Sequence, residues 1–204
     1  MIDQRLTQSE RRTRTRSAVL ASACRLFGGK GYSATSLEDI ANDCGLTTRP
    51  IYHYFGNKKA LFAAVNEHME QRILAVVTKE SVAKEPVAKV PAEHETLHTW
   101  SRFLELCEDP GFRQIVLIDS PNILGRERWP HSQVVQKVIA QTGDHRSSTP
   151  APADPRKQFR RELTVRMTIS ALAEAAMMVA EARDVTMARQ QAEQVLRQLL
   201  PERH

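Results

Sequence analysis

The sequence has 204 residues and a hydrophobic content of 41%, which suffices for one large domain or two small ones with a buried core. No run approaches the ~18 uninterrupted apolar residues of a membrane span, and the first residues lack the apolar stretch of a signal peptide. These features argue against the membrane-spanning and secreted classes and predict a cytoplasmic protein.

The excess of positive charge is confined to the beginning of the chain. The first 60 residues carry ten Lys and Arg against five Asp and Glu, whereas the other 144 residues carry 19 of each sign. A basic segment beside a neutral remainder is typical of a small module that binds a polyanion, although a solvated basic tail has the same composition.

The three cysteines, Cys24, Cys44 and Cys107, are widely spaced and include no CxxC pair. Their odd number and spacing predict neither a disulfide framework nor a zinc site. We therefore interpret them as reduced, mostly buried thiols, with a redox sensor as the alternative.

Three helices are predicted in the first 60 residues. Helix 1, about residues 8–28, follows a capping box at Thr7-x-x-Glu10 and ends at a cluster of glycines. Helix 2, about 36–44, follows a second box at Thr35-x-x-Glu38 and is stopped by Gly45, which permits the positive φ of a tight turn. Helix 3, about 48–54, has Thr47 as its N-cap and tolerates Pro50 in its first turn.

The rest of the chain is also predicted to be helical. A long fourth helix follows Gly56-Asn57 and runs to about residue 79, and shorter helices are expected near 97–106 and 112–118. Asp109-Pro110 and Ser120-Pro121 each resemble a cap followed by a proline at the first helical position. Two longer helices are expected near 157–182 and 185–200, and residues 83–95 and 142–156 are linker-like loops. No strand is predicted.

A short helix, a glycine turn and a second short helix form the pattern of a helix-turn-helix DNA-binding motif. Helix 3 is then the candidate major-groove helix, and Arg49 is the side chain that can bind guanine with two parallel hydrogen bonds. The other candidates on this helix for contacts to bases or backbone are Thr47, Thr48, Tyr52, His53 and Tyr54. Phosphate contacts are expected at helix starts and hydroxyls, from Thr35, Ser36, Tyr54 and Lys58. For Tyr52 and Tyr54, packing in an aromatic cluster is an open alternative.

The stretch 26–65, LFGGKGYSATSLEDIANDCGLTTRPIYHYFGNKKALFAAV, resembles the DNA-binding domain of the TetR (tetracycline repressor) family of transcription regulators. The residues that match at the family's spacing are Phe27, Gly31, Tyr32, Thr35, Ile40, Ala41, Gly45, Tyr52, Phe55, Lys58 and Leu61. The resemblance implies that Thr48, Arg49, Pro50, Tyr52, His53 and Tyr54 contact bases or backbone and that Lys58 holds a phosphate. Cys44 and the pair Arg49-Pro50 depart from the family pattern, and Glu38 is assigned to capping.

The expected architecture is all-α. A helix-turn-helix domain over residues 1–60 is joined by the long helix 4 to a helical ligand-binding and dimerisation domain over residues 61–204. The expected function is transcription regulation, as a repressor that releases a palindromic operator on binding a small, apolar molecule. The partners are double-stranded operator DNA, a second copy of the chain and a small-molecule effector; no cofactor, metal or membrane is expected. In the alternative, the same DNA-binding fold responds to a protein partner or to no small molecule.

The last two helices are the predicted dimer interface, because small or flexible side chains recur on one face and allow another helix to approach closely. The interface residues are Met167, Ala171, Ala175, Met178, Val195 and Leu199. Packing of this face within the monomer is the alternative. The pocket of the second domain is assigned to Phe103, Leu106, Cys107, Ile115, Leu117, Ile118, Trp129 and Met178, each of which could equally be an ordinary core residue.

Catalysis and metal binding are not expected from the sequence. An enzyme would have to use Asp119, Ser120 and a histidine, but no glycine elbow or phosphate loop precedes them. The pair His94-x-x-x-His98 could place two imidazoles on one helical face, but no third ligand has suitable spacing.

Overall fold

A computed structural model describes residues 7–77, 92–125, 128, 132–134, 136–137 and 154–199. Within these ranges the regular elements are helices, and no strand is present, which confirms the all-α prediction. The helices are α1 (Gln8–Lys30), α2 (Leu37–Asp43), α3 (Thr48–Phe55), α4 (Lys58–Val77), α5 (Ala92–Glu108), α6 (Pro110–Arg113), α7 (Ser120–Ile123), α8 (Pro155–Glu181) and α9 (Val185–Leu199), with a π-helical segment, Gln114–Asp119, between α6 and α7.

The chain divides into two compact units. The first unit comprises residues 1–69 together with 110–125, and the second comprises 70–109 together with 126–204. This division differs from the boundary predicted at residue 60, because α4 runs across that position and because residues 110–125 pack against α1. Most of each predicted loop, residues 83–91 and 142–153, lies outside the described residues. The last residues of both predicted loops are helical, because helices begin at Ala92 and Pro155.

Helices α1, α2 and α3 enclose the core of the first unit. Their inward positions follow helical spacing, so each helix buries one apolar face against the others. Phe27, Tyr32 and Phe62 add an aromatic cluster whose ring centroids lie 5.0 to 5.7 Å apart. The buried apolar residues of the first unit that lie on α1 to α4 are Val19, Ala23, Phe27, Leu37, Ile40, Ala41, Ile51, Leu61, Phe62, Val65 and Met69.

The starts of α1 and α2 are fixed by reciprocal side-chain hydrogen bonds. Thr7 and Glu10 form the predicted capping box of α1. The box of α2 is Ser36 with Asp39, one residue later than the predicted Thr35 and Glu38. The prediction for α2 was wrong in its register because both tetrapeptides fit the box pattern and the Thr35 side chain is buried.

As predicted, a helix begins at Ser120 with Pro121 in its first turn, but Ser120 does not cap it, because the segment from Pro110 to Ile123 is helical throughout. Ser120 has helical backbone angles, φ −58° and ψ −46°, and its amide donates to Ile115 O, a bond across five residues. The wider π-helical turn therefore leads directly into α7. Since proline has no amide to donate, Pro121 is tolerated at this change of hydrogen-bond pattern.

In the second unit, α8 packs against both α5 and α9. Among the described residues, those buried in the second unit are Glu70, Ile73, Trp100, Leu104, Cys107, Ser132, Val134, Val165, Ala176, Val179 and Leu196. In the described part of the same unit, seven large apolar side chains are exposed, all on α8 and α9: Phe159, Leu163, Met167, Met178, Val185, Met187 and Val195. Much of the apolar surface of α8 and α9 is thus left uncovered in the single chain.

Candidate nucleic-acid interface

The connection between α2 and α3 is a tight turn with a left-handed glycine. Gly45 has φ +66°, as predicted, a conformation that residues with a Cβ rarely adopt. The amide of Leu46 donates to Ala41 O at 2.8 Å and closes the turn. The angle between the two helices is therefore set by the backbone rather than by flexible side chains.

Helix α3 has one buried side and one exposed side. Ile51 is completely buried and packs the helix against the rest of the first unit. The opposite side carries exposed Thr47, Arg49, Tyr52 and His53, while Thr48, Pro50 and Tyr54 are half-buried. Thr47 is the N-cap residue as predicted, but its side chain makes no capping hydrogen bond.

The turn is held to α1 by polar contacts of Asp43, the last residue of α2. The Ser22 hydroxyl donates to the Asp43 carboxylate at 2.5 Å, and Arg25 forms an ion pair with the same oxygen. These two groups lower the pKa of Asp43, with the Ser22 hydrogen bond as the larger cause. The carboxylate thus remains ionised, and its charge is neutralised within the first unit.

Two further acids in the first unit also have internal partners. The backbone amide and hydroxyl of Thr7 lower the pKa of Glu10, and the same two groups of Ser36 lower the pKa of Asp39. The exposed basic side chains Arg11, Arg12, Arg14, Lys30, Arg49 and Lys59 face solvent. Three acids of the first unit are thus engaged in capping and pairing, while many bases lie on the surface, which favours contact with a polyanion.

A groove of about 440 Å³ opens beside the exposed side of α3. The start of α2 and the start of α4 form its walls, and Asn57 caps α4 by accepting from the Ala60 amide at 2.8 Å. Lys58 is half-buried, and its ammonium lies 4.3 Å from the centre of the Tyr32 ring. The groove is lined by Ser33, Ala34, Thr35, Ser36, Leu37, Glu38, Asp39, Tyr52, Asn57 and Lys58.

The predicted phosphate-binding residues do not all lie at the groove. Ser36, Lys58 and Tyr52 line the groove together with Thr35, whereas Tyr54 does not. The Thr35 hydroxyl is buried and donates to Gly31 O at 2.9 Å and to Leu26 O at 3.2 Å, so it already has partners within the first unit. Tyr54 contacts the His53 ring, with centroids 5.0 Å apart.

Sequence reasoning assigned no role to three residues around this site. Tyr32 appeared only as a family match and Asn57 only as a turn residue, although an asparagine before a helix is a recognisable N-cap signal. Asp119 was considered only for catalysis, yet its carboxylate accepts from the Tyr32 backbone amide at 2.7 Å. No sequence signal could have revealed a contact between residues so distant in the chain.

The three cysteines are buried or half-buried in the described part of the chain. Cys44 donates to Ile40 O at 3.0 Å, and burial raises the pKa of its thiol, which disfavours the reactive thiolate. Cys107 is buried and Cys24 is half-buried. No group of three or more His, Cys, Asp or Glu side chains is arranged to hold a metal among the described residues.

The eight predicted pocket residues are divided between the two units. Ile115, Leu117 and Ile118 belong to the first unit, Phe103, Leu106, Cys107 and Met178 belong to the second, and Trp129 lies outside the described residues. Ile118 and Met178 are exposed, Cys107 and Ile115 are buried, and the other three are half-buried. This pocket assignment therefore stays a prediction.

The predicted dimer face is accessible in the single chain. Met167, Ala171, Met178 and Val195 are exposed and Ala175 is half-buried, while Leu199 lies at the end of α9 and its side chain is not described. By length and composition alone, α8 could also cross a membrane, and 17% of its most apolar stretch is buried.

Two family profiles match the chain. One, described as bacterial regulatory proteins of the tetR family, matches residues 19–65, and the other, described as a tetracyclin repressor-like C-terminal domain, matches residues 94–202. The second profile alone covers more than half of the chain. Together they match both the helix-turn-helix region and the helices that follow it.

Curated relatives and solved structures agree with these profiles. The regulator AcrR of Shigella flexneri is 42% identical over 59 residues, 29% of this chain and 27% of AcrR. The uncharacterized HTH-type regulator YerO of Bacillus subtilis is 26% identical over 124 residues, 61% of this chain and only 41% of YerO. A TetR-family regulator from Pectobacterium atrosepticum, solved by crystallography, is 25% identical with a TM-score of 0.55, and the match covers 96% of each chain.

Proposed function

We propose that the chain, which belongs to the tetR family of bacterial regulatory proteins, binds a palindromic operator as a homodimer. In this proposal it represses transcription until a small, apolar molecule binds its second unit. Members of the family are transcriptional regulators and not enzymes. The observation that carries the DNA-binding half is α3, which buries Ile51 and exposes Arg49, Tyr52 and His53 beside a basic surface. A cytoplasmic location follows from this role.

In this proposal Arg49 carries most of the sequence information. It is exposed in the first turn of α3, where recognition helices contact base edges, and its guanidinium can donate two parallel hydrogen bonds to N7 and O6 of guanine. Thr47, Thr48, Pro50, His53 and Tyr54 would add contacts to neighbouring bases or to the backbone. The two hydrogen bonds from Arg49 to guanine would discriminate against a wrong base by about 1–3 kcal/mol.

Phosphate binding would occur at the groove beside α3. Lys58, Tyr52 and Ser36 line this groove and supply an ammonium and two hydroxyls. These contacts fix the register of the protein on the duplex without reading sequence. Thr35 stays a predicted contact, but its hydroxyl and its amide both have partners within the first unit, the amide donating to Tyr32 O at 3.4 Å.

The dimer would form through the exposed apolar face of α8 and α9. Met167 and Met178 are about two-thirds exposed, an unusual state for large apolar side chains of a single folded chain, and Ala171 lies between them on the helix. Two such helices from each copy can pair as a four-helix bundle. Dimerisation also accounts for the apolar character of α8 without a membrane.

An effector site is supported by Trp100, which is 1% exposed in the second unit. Its indole N–H has no hydrogen-bond partner in the part of the chain that is described. An unpaired buried donor costs about 1–3 kcal/mol. A mainly apolar molecule with one oxygen acceptor would remove that cost, and Phe103, whose ring lies 6.2 Å from that of Trp100, would help to hold it.

The DNA-binding proposal is tested by selection of duplexes from a random pool, followed by fluorescence anisotropy at several salt concentrations. We expect a near-palindromic sequence whose affinity falls steeply with salt. Recovery of no enriched sequence, with binding no tighter than to random DNA, would contradict it.

The effector proposal is tested by thermal-shift measurements with matched pairs such as naphthalene and 1-naphthol. The hydroxyl oxygen can accept from the indole, so 1-naphthol should stabilise the protein more, and Trp100→Phe should abolish the difference. Equal shifts for both compounds, or an unchanged difference in Trp100→Phe, would contradict the role of Trp100.

A further inference from the structure

Residues 110–125, although distant in sequence, lie against the end of α1. An ideal Cβ placed on Gly28 would come within 2.9 Å of Gly111 Cα, so the two backbones approach as closely as glycine allows. A Cβ on Gly31 would lie 3.2 Å from the Gln114 side chain. This close packing brings the π-helical segment next to the connection between α1 and α2.

The contact between these segments is completed by Asp119. Its Oδ2 atom accepts from the backbone amide of Tyr32 at 2.7 Å, in a half-buried position. A hydrogen bond to a carboxylate is stronger than one between neutral groups. Asp119 therefore fixes the backbone of Tyr32 immediately after Gly31, which ends α1 with φ +80°.

The side chain of Tyr32 extends this contact to the proposed phosphate site. Its ring packs against Phe27 and Phe62, at centroid distances of 5.7 and 5.0 Å. The ammonium of Lys58 lies 4.3 Å from the centre of the same ring, which is a cation–π contact. The aromatic face thus holds a flexible side chain at the groove beside α3, with part of its conformational freedom already lost.

We propose that Asp119 is a positioning residue for DNA binding, which acts through Tyr32 to hold the Lys58 ammonium where a backbone phosphate is bound. The inference rests on the proposed role of Lys58 as a phosphate contact. It makes a prediction of unusual sign, because removal of an acidic side chain from a DNA-binding protein ordinarily strengthens binding. Removal of Asp119 should weaken it.

The test is a double-mutant cycle with the operator obtained by selection on the unmodified full-length protein. Asp119→Ala should weaken operator binding about two- to tenfold, in keeping with the size of a cation–π contact. The same change in a Lys58→Ala background should have little effect. Asp119→Asn keeps an oxygen acceptor for the Tyr32 amide and should restore most of the affinity.

Two controls separate this role from a loss of structure. Tyr32→Phe keeps the aromatic face and should bind like the unmodified protein, whereas Tyr32→Leu should reproduce the loss seen in Asp119→Ala. Glu38→Gln removes an exposed acid from the groove itself and should strengthen binding. Circular dichroism before titration verifies that each variant is folded.

The inference is overturned if Asp119→Ala binds the operator as tightly as the unmodified protein, or if the loss is equally large with and without Lys58. Should Asp119→Ala fail to fold, the comparison of Tyr32→Leu with Tyr32→Phe decides, and equal affinities overturn the inference. Absence of salt-dependent operator binding by the unmodified protein would instead contradict the proposed function.

Discussion

The two units differ in how they bury their large apolar side chains. Ten large apolar side chains are fully buried among the described residues; nine belong to the first unit, and Trp100 is the only one in the second. The exposed large apolar side chains show the opposite distribution, since seven of nine belong to the second unit. The first unit is complete as a single chain, whereas the second presents a surface that another molecule can cover.

This contrast fits a division of labour. A protein that reads DNA needs its recognition helix held rigidly, and the core around Ile51 and the Gly45 turn provide that rigidity. A dimerisation surface needs accessible apolar area, and α8 and α9 provide it.

The largest effect is expected from a charge in the proposed dimer face. Ala175→Glu should split the dimer and abolish operator binding, because burial of an unpaired carboxylate costs several kcal/mol and one half-site alone binds weakly. Sedimentation velocity and anisotropy measure the two consequences. Gln194→Glu, an exposed position on α9 beside Val195, is the matched control and should remain dimeric. A dimeric Ala175→Glu variant with full operator affinity would place the interface elsewhere.

Removal of a large apolar side chain should cost more stability in the first unit than on the exposed face of the second. Phe27→Ala removes a fully buried ring from the first unit and should lower the free energy of unfolding by about 3–5 kcal/mol. Phe159→Ala, at a ring that is 68% exposed, should leave the unfolding of the first unit nearly unchanged. Chemical denaturation followed by circular dichroism checks both variants. Equal losses of unfolding free energy in both variants would contradict the contrast between a buried ring in the first unit and an exposed ring in the second.

Within the first unit, the base contact and the phosphate contact should behave differently. Arg49→Ala should cost about 1–3 kcal/mol, mainly at one base position. Lys58→Ala should weaken binding to all sequences and reduce the salt slope by about one unit. Titration of single-base operator variants distinguishes the two. A uniform loss for both variants across all operators would refute this assignment.

The smallest effect concerns the ion pair that ties α2 to α1. Since the pKa of Asp43 is lowered in the folded state, its contribution to stability is complete above the unfolded pKa, about 3.9, and is lost as pH falls through the folded value. Asp43→Asn should therefore lower Tm slightly near pH 7, with the difference shrinking below about pH 4. In a Ser22→Ala background this pH dependence should be reduced. A difference that grows toward acid pH would contradict the assignment.

Local signals explain why much of the fold could be predicted. The capping box at Thr7, the glycine turn at Gly45 and the apolar spacing of α1 to α4 are features of short sequence range, and the structure contains each of them. The box at α2 was displaced by one residue because Thr35-Glu38 and Ser36-Asp39 satisfy the same pattern. Only burial of the Thr35 side chain decides between them.

Contacts across long sequence distances could not be predicted. The π-helical segment is a hydrogen-bond pattern without a sequence signature, so Ser120-Pro121 resembled a helix start. The approach of Gly28 to Gly111 and the bond from Tyr32 to Asp119 depend on packing between segments more than 80 residues apart. The glycine contact and the hydrogen bond both join residues 110–125 to the first unit. No local sequence pattern indicated this placement.

Two copies of the chain are proposed to bind one palindromic duplex, each with its own α3. Analytical ultracentrifugation of the protein with the selected operator, at micromolar concentration and moderate salt, measures the composition of the complex directly. We expect a mass of two chains, each of 23.1 kDa, on one duplex, and loss of tight binding when one half-site is scrambled. A complex with a single chain per duplex, whose affinity is unchanged by scrambling either half-site, would contradict the account.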